Sequence, residues 1–125
     1  MILITGGSGF IGSNLIAGLS ERHKVSLIVC DHVNCDQRRS NLAKHNVADV
    51  IEPKNLSRWL SGQAGKIEAI FHMGATSATT ETDFSHLLDN NLGTSMMLWR
   101  WCVENNAVFI YASSAATYGN GNQSF

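Results

Sequence analysis

Short apolar runs alternate along this chain with longer stretches whose apolar residues recur at helical spacing. Ile2-Leu3-Ile4 is the first run. The stretch from about Gly9 to Ser20 follows it and places Ile11, Leu15, Ile16 and Leu19 on one helical face. Val25 to Cys30 reads as a second strand and Ala48 to Ile51 as a weaker third. Asn55 is placed to cap a short helix containing Leu56, Trp59 and Leu60. Ala69 to Met73 is a fourth strand. A long helix from about Phe84 to Asn105 carries Leu87, Leu88, Met97, Leu98, Trp101 and Cys102, with Trp101 read as packing. Val108 to Ala112 is a fifth strand. Strands apolar on both faces and separated by helices predict an α/β fold with a parallel sheet covered on both sides. Right-handed crossovers make the doubly wound Rossmann order 3-2-1-4-5 the natural one.

The length of 125 residues suits one domain, residues 1–125, with a core of its own. Hydrophobic residues at 44% and charged ones at 15% describe a globular chain. A net charge of −1 provides no field for nucleic acid or an anionic membrane, so an anionic ligand needs a local holding device. No run approaches the ~20 apolar residues of a membrane span, and no basic segment precedes Ile2-Leu3-Ile4 as in a signal peptide. Three scattered cysteines, Cys30, Cys35 and Cys102, make no disulfide framework and point to a reducing cytoplasm. Zinc held by Cys30, His32, Cys35 and His45 is disfavoured, because the paired C-x-x-C spacing is missing and Cys30 lies inside an apolar strand; no metal site is expected.

The local device is the loop Gly6-Gly7-Ser8-Gly9-Phe10-Ile11-Gly12 between the first strand and the first helix. Gly6 and Gly7 allow the tight turn, Gly9 lets a pyrophosphate approach the backbone, and Gly12 permits close helix–strand packing. The first helical N–H groups and the helix dipole then hold the phosphates. Asp31, nineteen residues past Gly12, ends the second strand, placed to accept hydrogen bonds from an adenosine ribose. Its carboxylate favours NAD, whereas Arg38 and Arg39 in the following loop suit the 2′-phosphate of NADP, and the residues alone leave the two open.

The fourth strand runs into His72-Met73-Gly74-Ala75-Thr76-Ser77, at the carboxyl edge where such sheets bind ligands. Gly74 and Ala75 are small enough for a cofactor to lie against the backbone, and His72 is read as a satisfied edge histidine. The fifth strand runs into Ser113-Ser114-Ala115-Ala116-Thr117-Tyr118-Gly119, where a serine hydroxyl can meet a substrate hydroxyl or carbonyl during hydride transfer.

The glycine loop, together with Tyr111-Ala112-Ser113-Ser114-Ala115-Ala116-Thr117-Tyr118-Gly119, resembles the extended short-chain dehydrogenase/reductase family. Phe71 to Asp83, with Thr79-Thr80-Glu81, and Asp89-Asn90-Asn91 set it apart from the UDP-galactose 4-epimerases and nucleotide-sugar dehydratases of that family. The resemblance implies cofactor contacts at Phe10, Ile11, Asp31, His32, Arg38, Met73, Gly74, Ala75, Thr76, Ser77 and Asn90. It makes Ser114 the serine of the Ser–Tyr–Lys catalytic set and NADP the cofactor, with a nucleotide-sugar substrate held partly by a C-terminal domain. It also implies a homo-oligomer for the complete enzyme.

This chain departs from the family in three places. Met73 stands where the family has Glu. Lys54, counted among the cofactor contacts, falls one position past the lysine expected there. No Tyr-x-x-x-Lys is present: Ala115 and Asn122 stand four residues after Tyr111 and Tyr118, and every lysine lies at or before Lys66. The sequence therefore reads as the cofactor-binding part of such an enzyme, cut after about five strands and without its substrate domain. Its fifth strand, Val108-Phe109-Ile110-Tyr111, is then expected to be an exposed apolar edge.

Overall fold

A computed structural model of the chain describes residues 1–22, 24–76, 88–114, 117, 119 and 120. Five strands, β1 (Ile2–Thr5), β2 (Leu27–Cys30), β3 (Asp49–Ile51), β4 (Ala69–His72) and β5 (Val108–Tyr111), form one parallel sheet in the order β3-β2-β1-β4-β5. The doubly wound order expected from the alternating pattern is the one observed.

Alternation along each strand sorts the core into two layers. Leu3, Ile28, Cys30, Ile51 and Ile70 point to one face and pack with Leu56 and Leu60 of α3 (Leu56–Leu60) and Leu98 and Cys102 of α4 (Thr94–Asn105). Ile4, Leu27 and Val29 point to the other, against Ile16 of α1 (Phe10–Arg22) and Leu42 of α2 (Asp36–Ala43). Trp101 packs on the first layer and its indole N–H donates to the Leu60 carbonyl at 3.2 Å. Asn106 ends α4 in the left-handed conformation, φ 55°, and the Ala107 N–H closes the helix on the Cys102 carbonyl.

The elements differ from the sequence expectation in four ways. Residues 36–43, read as a loop, form α2; only Leu42 of that helix is buried, so it carries no apolar stripe to announce it. Asn55 adopts a helical conformation with no side-chain capping bond, because a 3-10 turn over Pro53–Asn55 already leads into α3. Ile11 does not join Leu15, Ile16 and Leu19 in the core but is 62% exposed at the start of α1. Within the described part of the long helix, Leu88–Gly93 form a π-helical turn with Leu88 exposed, and its expected first residues 84–87 lie outside the described residues.

Among the described residues β5 is an edge, with Val108, Ile110 and Tyr111 exposed, as expected. A groove of about 410 Å³ runs beside it, lined by Trp99, Cys102, Val103, Asn106, Phe109 and Tyr111. No described helix is long and apolar enough to cross a membrane.

Candidate dinucleotide site

The carboxyl ends of β1, β2 and β4 place three segments side by side: the glycine loop, the turn after Cys30, and the segment after His72. Gly6 has φ +67°, and a Cβ there would lie 2.7 Å from both Cα and N of Gly74. The loop and the post-β4 segment are therefore in backbone contact. A Cβ on Gly12 would run into the Gly6 carbonyl oxygen and come within 2.7 Å of Gly7 Cα, so α1 starts directly against the loop. Gly9 differs: its Cβ would meet only the Gly6 oxygen, at 3.2 Å. The outer face at Gly9 is thus a cradle that a side chain would fill, beside the first N–H groups of α1, which have no partner within the helix. Phe10 is 85% exposed beside it. These features fit a pyrophosphate.

Asp31 is only 7% exposed, and four donors of this chain meet its carboxylate. One oxygen accepts from the Ser8 N–H at 2.9 Å and the Ser8 hydroxyl at 2.6 Å. The other accepts from the His32 N–H at 2.7 Å and Arg38 Nη1 at 2.8 Å. Asn41 of α2 donates to the Ser8 carbonyl at 2.9 Å, tying that helix to the loop. The acid that the sequence offered to a ribose is thus the anchor of the glycine loop. Arg38 reaches it from α2, whereas Arg39 turns away to the Val33 carbonyl and to Asp36. His32 lies 3.4 Å from Glu52, both well exposed, and Lys54 is exposed on the 3-10 turn after β3. Desolvation, followed by the carboxylates of Asp31 and Glu52, pushes the Cys30 thiol up to about 12, so it is an inert core group.

Past β4, the Gly74 N–H donates to Thr5 Oγ1 at 3.1 Å. Asn91 of the π-helical turn clamps Thr76 by both backbone groups: Oδ1 accepts from the Thr76 N–H at 2.7 Å and Nδ2 donates to its carbonyl at 3.1 Å. Asn90 donates to the Thr76 hydroxyl at 2.7 Å. Met73 and Gly74 are half-buried and Ala75 is exposed along this stretch. His72 is buried with its ring nitrogens at 2.6 Å from Thr5 Oγ1 and 2.9 Å from Ser95 Oγ, and desolvation holds its pKa below the ordinary imidazole value. Ser114 is exposed just past β5, with its carbonyl accepting from the Thr117 N–H. Ser77, Thr79-Thr80-Glu81, Ala115, Ala116 and Tyr118 lie outside the described residues.

Sequence reasoning overlooked Thr5, Ser8, Asn41, Asn91 and Ser95, whose side chains reach partners 15 to 69 positions away in the chain. Ser8, inside the glycine loop, and Asn91, quoted beside Asn90, stood in segments already singled out, but neither was given a role of its own.

The chain matches the sequence profile of the NAD dependent epimerase/dehydratase family over residues 2–125. It is 46% identical over 123 residues to the ADP-L-glycero-D-manno-heptose-6-epimerase of Fusobacterium nucleatum, an alignment covering 97% of this chain and 37% of that protein. The crystal structure of the Helicobacter pylori ADP-L-glycero-D-manno-heptose-6-epimerase superposes with a TM-score of 0.80 at 32% identity, covering 95% of this chain and 40% of that one. The UDP-glucuronic acid 4-epimerase of Bacillus cereus, in complex with NAD, superposes with a TM-score of 0.80 at 26% identity, over 95% of this chain and 41% of the other. This chain thus spans well under half the length of the relatives it matches.

Proposed function

The chain belongs to the NAD dependent epimerase/dehydratase family, and from that premise we propose that it is the cofactor-binding N-terminal portion of an ADP-glyceromanno-heptose 6-epimerase. The observation that carries the reading is the open face at Gly9, where a Cβ would meet only the Gly6 oxygen at 3.2 Å, set at the start of α1 in a loop whose Gly6 is in backbone contact with Gly74. The bound nicotinamide would supply reversible hydride transfer at a sugar carbon. The chain's own part is to hold that cofactor. Gly6, Gly9 and Gly12 shape the pyrophosphate turn, with Phe10 and Ile11 at the helix start; Asp31, His32, Arg38 and Lys54 flank the adenosine side. Met73 to Thr76 and Asn90 wall the nicotinamide side, to which Ser77, outside the described residues, is assigned by the family resemblance. Ser114 would meet the sugar hydroxyl. The pathway of the proposed enzyme is the making of the lipopolysaccharide core heptose, in the cytoplasm and as a homo-oligomer.

Without Tyr-x-x-x-Lys these 125 residues hold no acid/base for the sugar hydroxyl, so they bind cofactor and turn nothing over. A non-catalytic NAD(P)-binding module is the alternative reading. Likeness to 4-epimerases of UDP-sugars keeps another nucleotide-sugar as a further alternative substrate. For the cofactor itself we take NADP, with NAD the alternative, because Arg38 is the cation that α2 brings to Asp31.

A titration tests this choice. Arg38→Ala is expected to weaken NADP by roughly 1–3 kcal/mol, the range of a charge-assisted hydrogen bond, and to leave NAD nearly unchanged. Arg39→Ala, whose guanidinium points elsewhere, serves as the control. An equal loss for both cofactors in Arg38→Ala would assign the arginine to the Asp31 anchor alone and remove the case for NADP.

A further inference from the structure

His72 lies behind the post-β4 segment, and its hydrogen bonds fix where its protons are. Ser95 has one hydroxyl proton, and it goes to the Asn91 carbonyl at 2.5 Å. Ser95 Oγ can then only accept from the ring, so His72 Nε2 carries the proton. A neutral ring protonated on Nε2 has a bare Nδ1, which accepts the Thr5 hydroxyl proton at 2.6 Å. Thr5 Oγ1, its proton spent, accepts from the Gly74 N–H. One unbroken line of donors and acceptors therefore runs from Gly74 through Thr5, His72 and Ser95 to Asn91. Both ends of that line hold the same segment: Thr5 takes Gly74, and Asn91 clamps the Thr76 backbone. Phe109 of β5 stacks on the imidazole at 6.1 Å and 24° and keeps its plane.

We propose that His72 is a positioning residue: through Thr5 on one side and Ser95 on the other, it sets the distance between Gly74 and Thr76 and so the shape of the wall that faces the cofactor. This rests on the dinucleotide reading of the preceding section. The geometry accounts for a polar ring at the buried carboxyl end of an interior strand, where an apolar residue would pack as well but would leave the Thr5 hydroxyl proton without its acceptor.

The test uses the full chain with two readouts. Histidine-selective 15N spectra of the unliganded wild type report which ring nitrogen is protonated; the proton is expected on Nε2 of a neutral ring at neutral pH. A proton on Nδ1, or a charged ring, overturns the proposal. Titration with NADP and NAD then compares wild type, His72→Phe, Ser95→Ala and their double variant. Phe keeps the stacked plane and loses both bonds; Ser95→Ala cuts one side at a partly exposed helix position and keeps the test alive should His72→Phe fold poorly. Each single variant is expected to weaken the bound dinucleotide about tenfold, the effect of one lost buried hydrogen bond. The double variant loses no more than His72→Phe alone, because both cuts fall in one line. Ser95→Thr, which restores the hydroxyl, restores affinity relative to Ser95→Ala. Multiplying losses in the double variant, or unchanged affinity in Ser95→Ala, overturns the proposal. A wild-type chain that binds neither dinucleotide overturns the cofactor reading instead, and the spectra alone then decide where the His72 proton lies.

Discussion

Gly12→Ala is expected to lower the stability of the chain by about 3 kcal/mol or more, the upper range for forcing extra volume into a packed site. The added methyl would enter the Gly6 carbonyl oxygen and crowd Gly7 Cα, and neither atom can yield as a flexible side chain does. Gly6 is held in turn by its N–H bond to the Cys30 carbonyl and by its backbone contact with Gly74, so relief would have to move β2 or the post-β4 segment. For a domain of this size the melting temperature should fall by about 10 °C. Gly9→Ala is the matched control, because its Cβ meets a single oxygen at 3.2 Å and opens outward. Thermal unfolding followed by circular dichroism checks the pair. A Gly12→Ala chain that melts with the wild type would mean that α1 does not start against the loop.

Asp31→Asn should cost about 2–3 kcal/mol although it changes no volume. Each carboxylate oxygen accepts two hydrogen bonds, from Ser8 N–H and O–H on one side and from His32 N–H and Arg38 on the other. An amide has only one oxygen, and its NH2 must face one of the two pairs. Toward His32 and Arg38 it meets donors alone. Toward Ser8 the hydroxyl can turn round and accept, but the Ser8 N–H is left buried and unpaired, and Arg38 loses its carboxylate partner; an unsatisfied buried donor accounts for the magnitude. Ser8→Ala removes one donor of the four and should cost about 1 kcal/mol. Urea unfolding monitored by tryptophan fluorescence measures both. Equal stability of Asp31→Asn and wild type would mean that the acid is free of the loop and available to a ligand from the outset.

These two sites also show what the residues alone could and could not reveal. Strand order follows from apolar runs such as Leu27-Ile28-Val29-Cys30, since only a sheet covered on both faces buries every position of a strand. The glycine loop was legible because its spacing, its preceding strand and its following helix agree. Helix α2 was not, because burial of Leu42 alone leaves no periodicity to read. The anchoring of the glycine loop by Asp31 was hidden for a different reason: Ser8 is 23 positions away, and pairing between polar side chains leaves no hydropathy signal. The His72 line escaped in the same way, as its members come from β1, β4 and α4. Motif spacing placed the glycine loop between β1 and α1; the hydrogen bonds that tie it to its neighbours became visible only once the strands stood side by side.

The central claim, that the loop around Gly9 holds a dinucleotide, is tested most directly by calorimetric titration of NADP and NAD into the wild-type chain and into Gly9→Val. A branched side chain at Gly9 fills the open face, its Cβ meeting only the Gly6 oxygen at 3.2 Å. Saturable one-to-one binding to the wild type, weakened tenfold or more in a Gly9→Val chain of unchanged fold, is the expected result. Equal affinity in the two proteins, or heat of dilution alone in both, would contradict it.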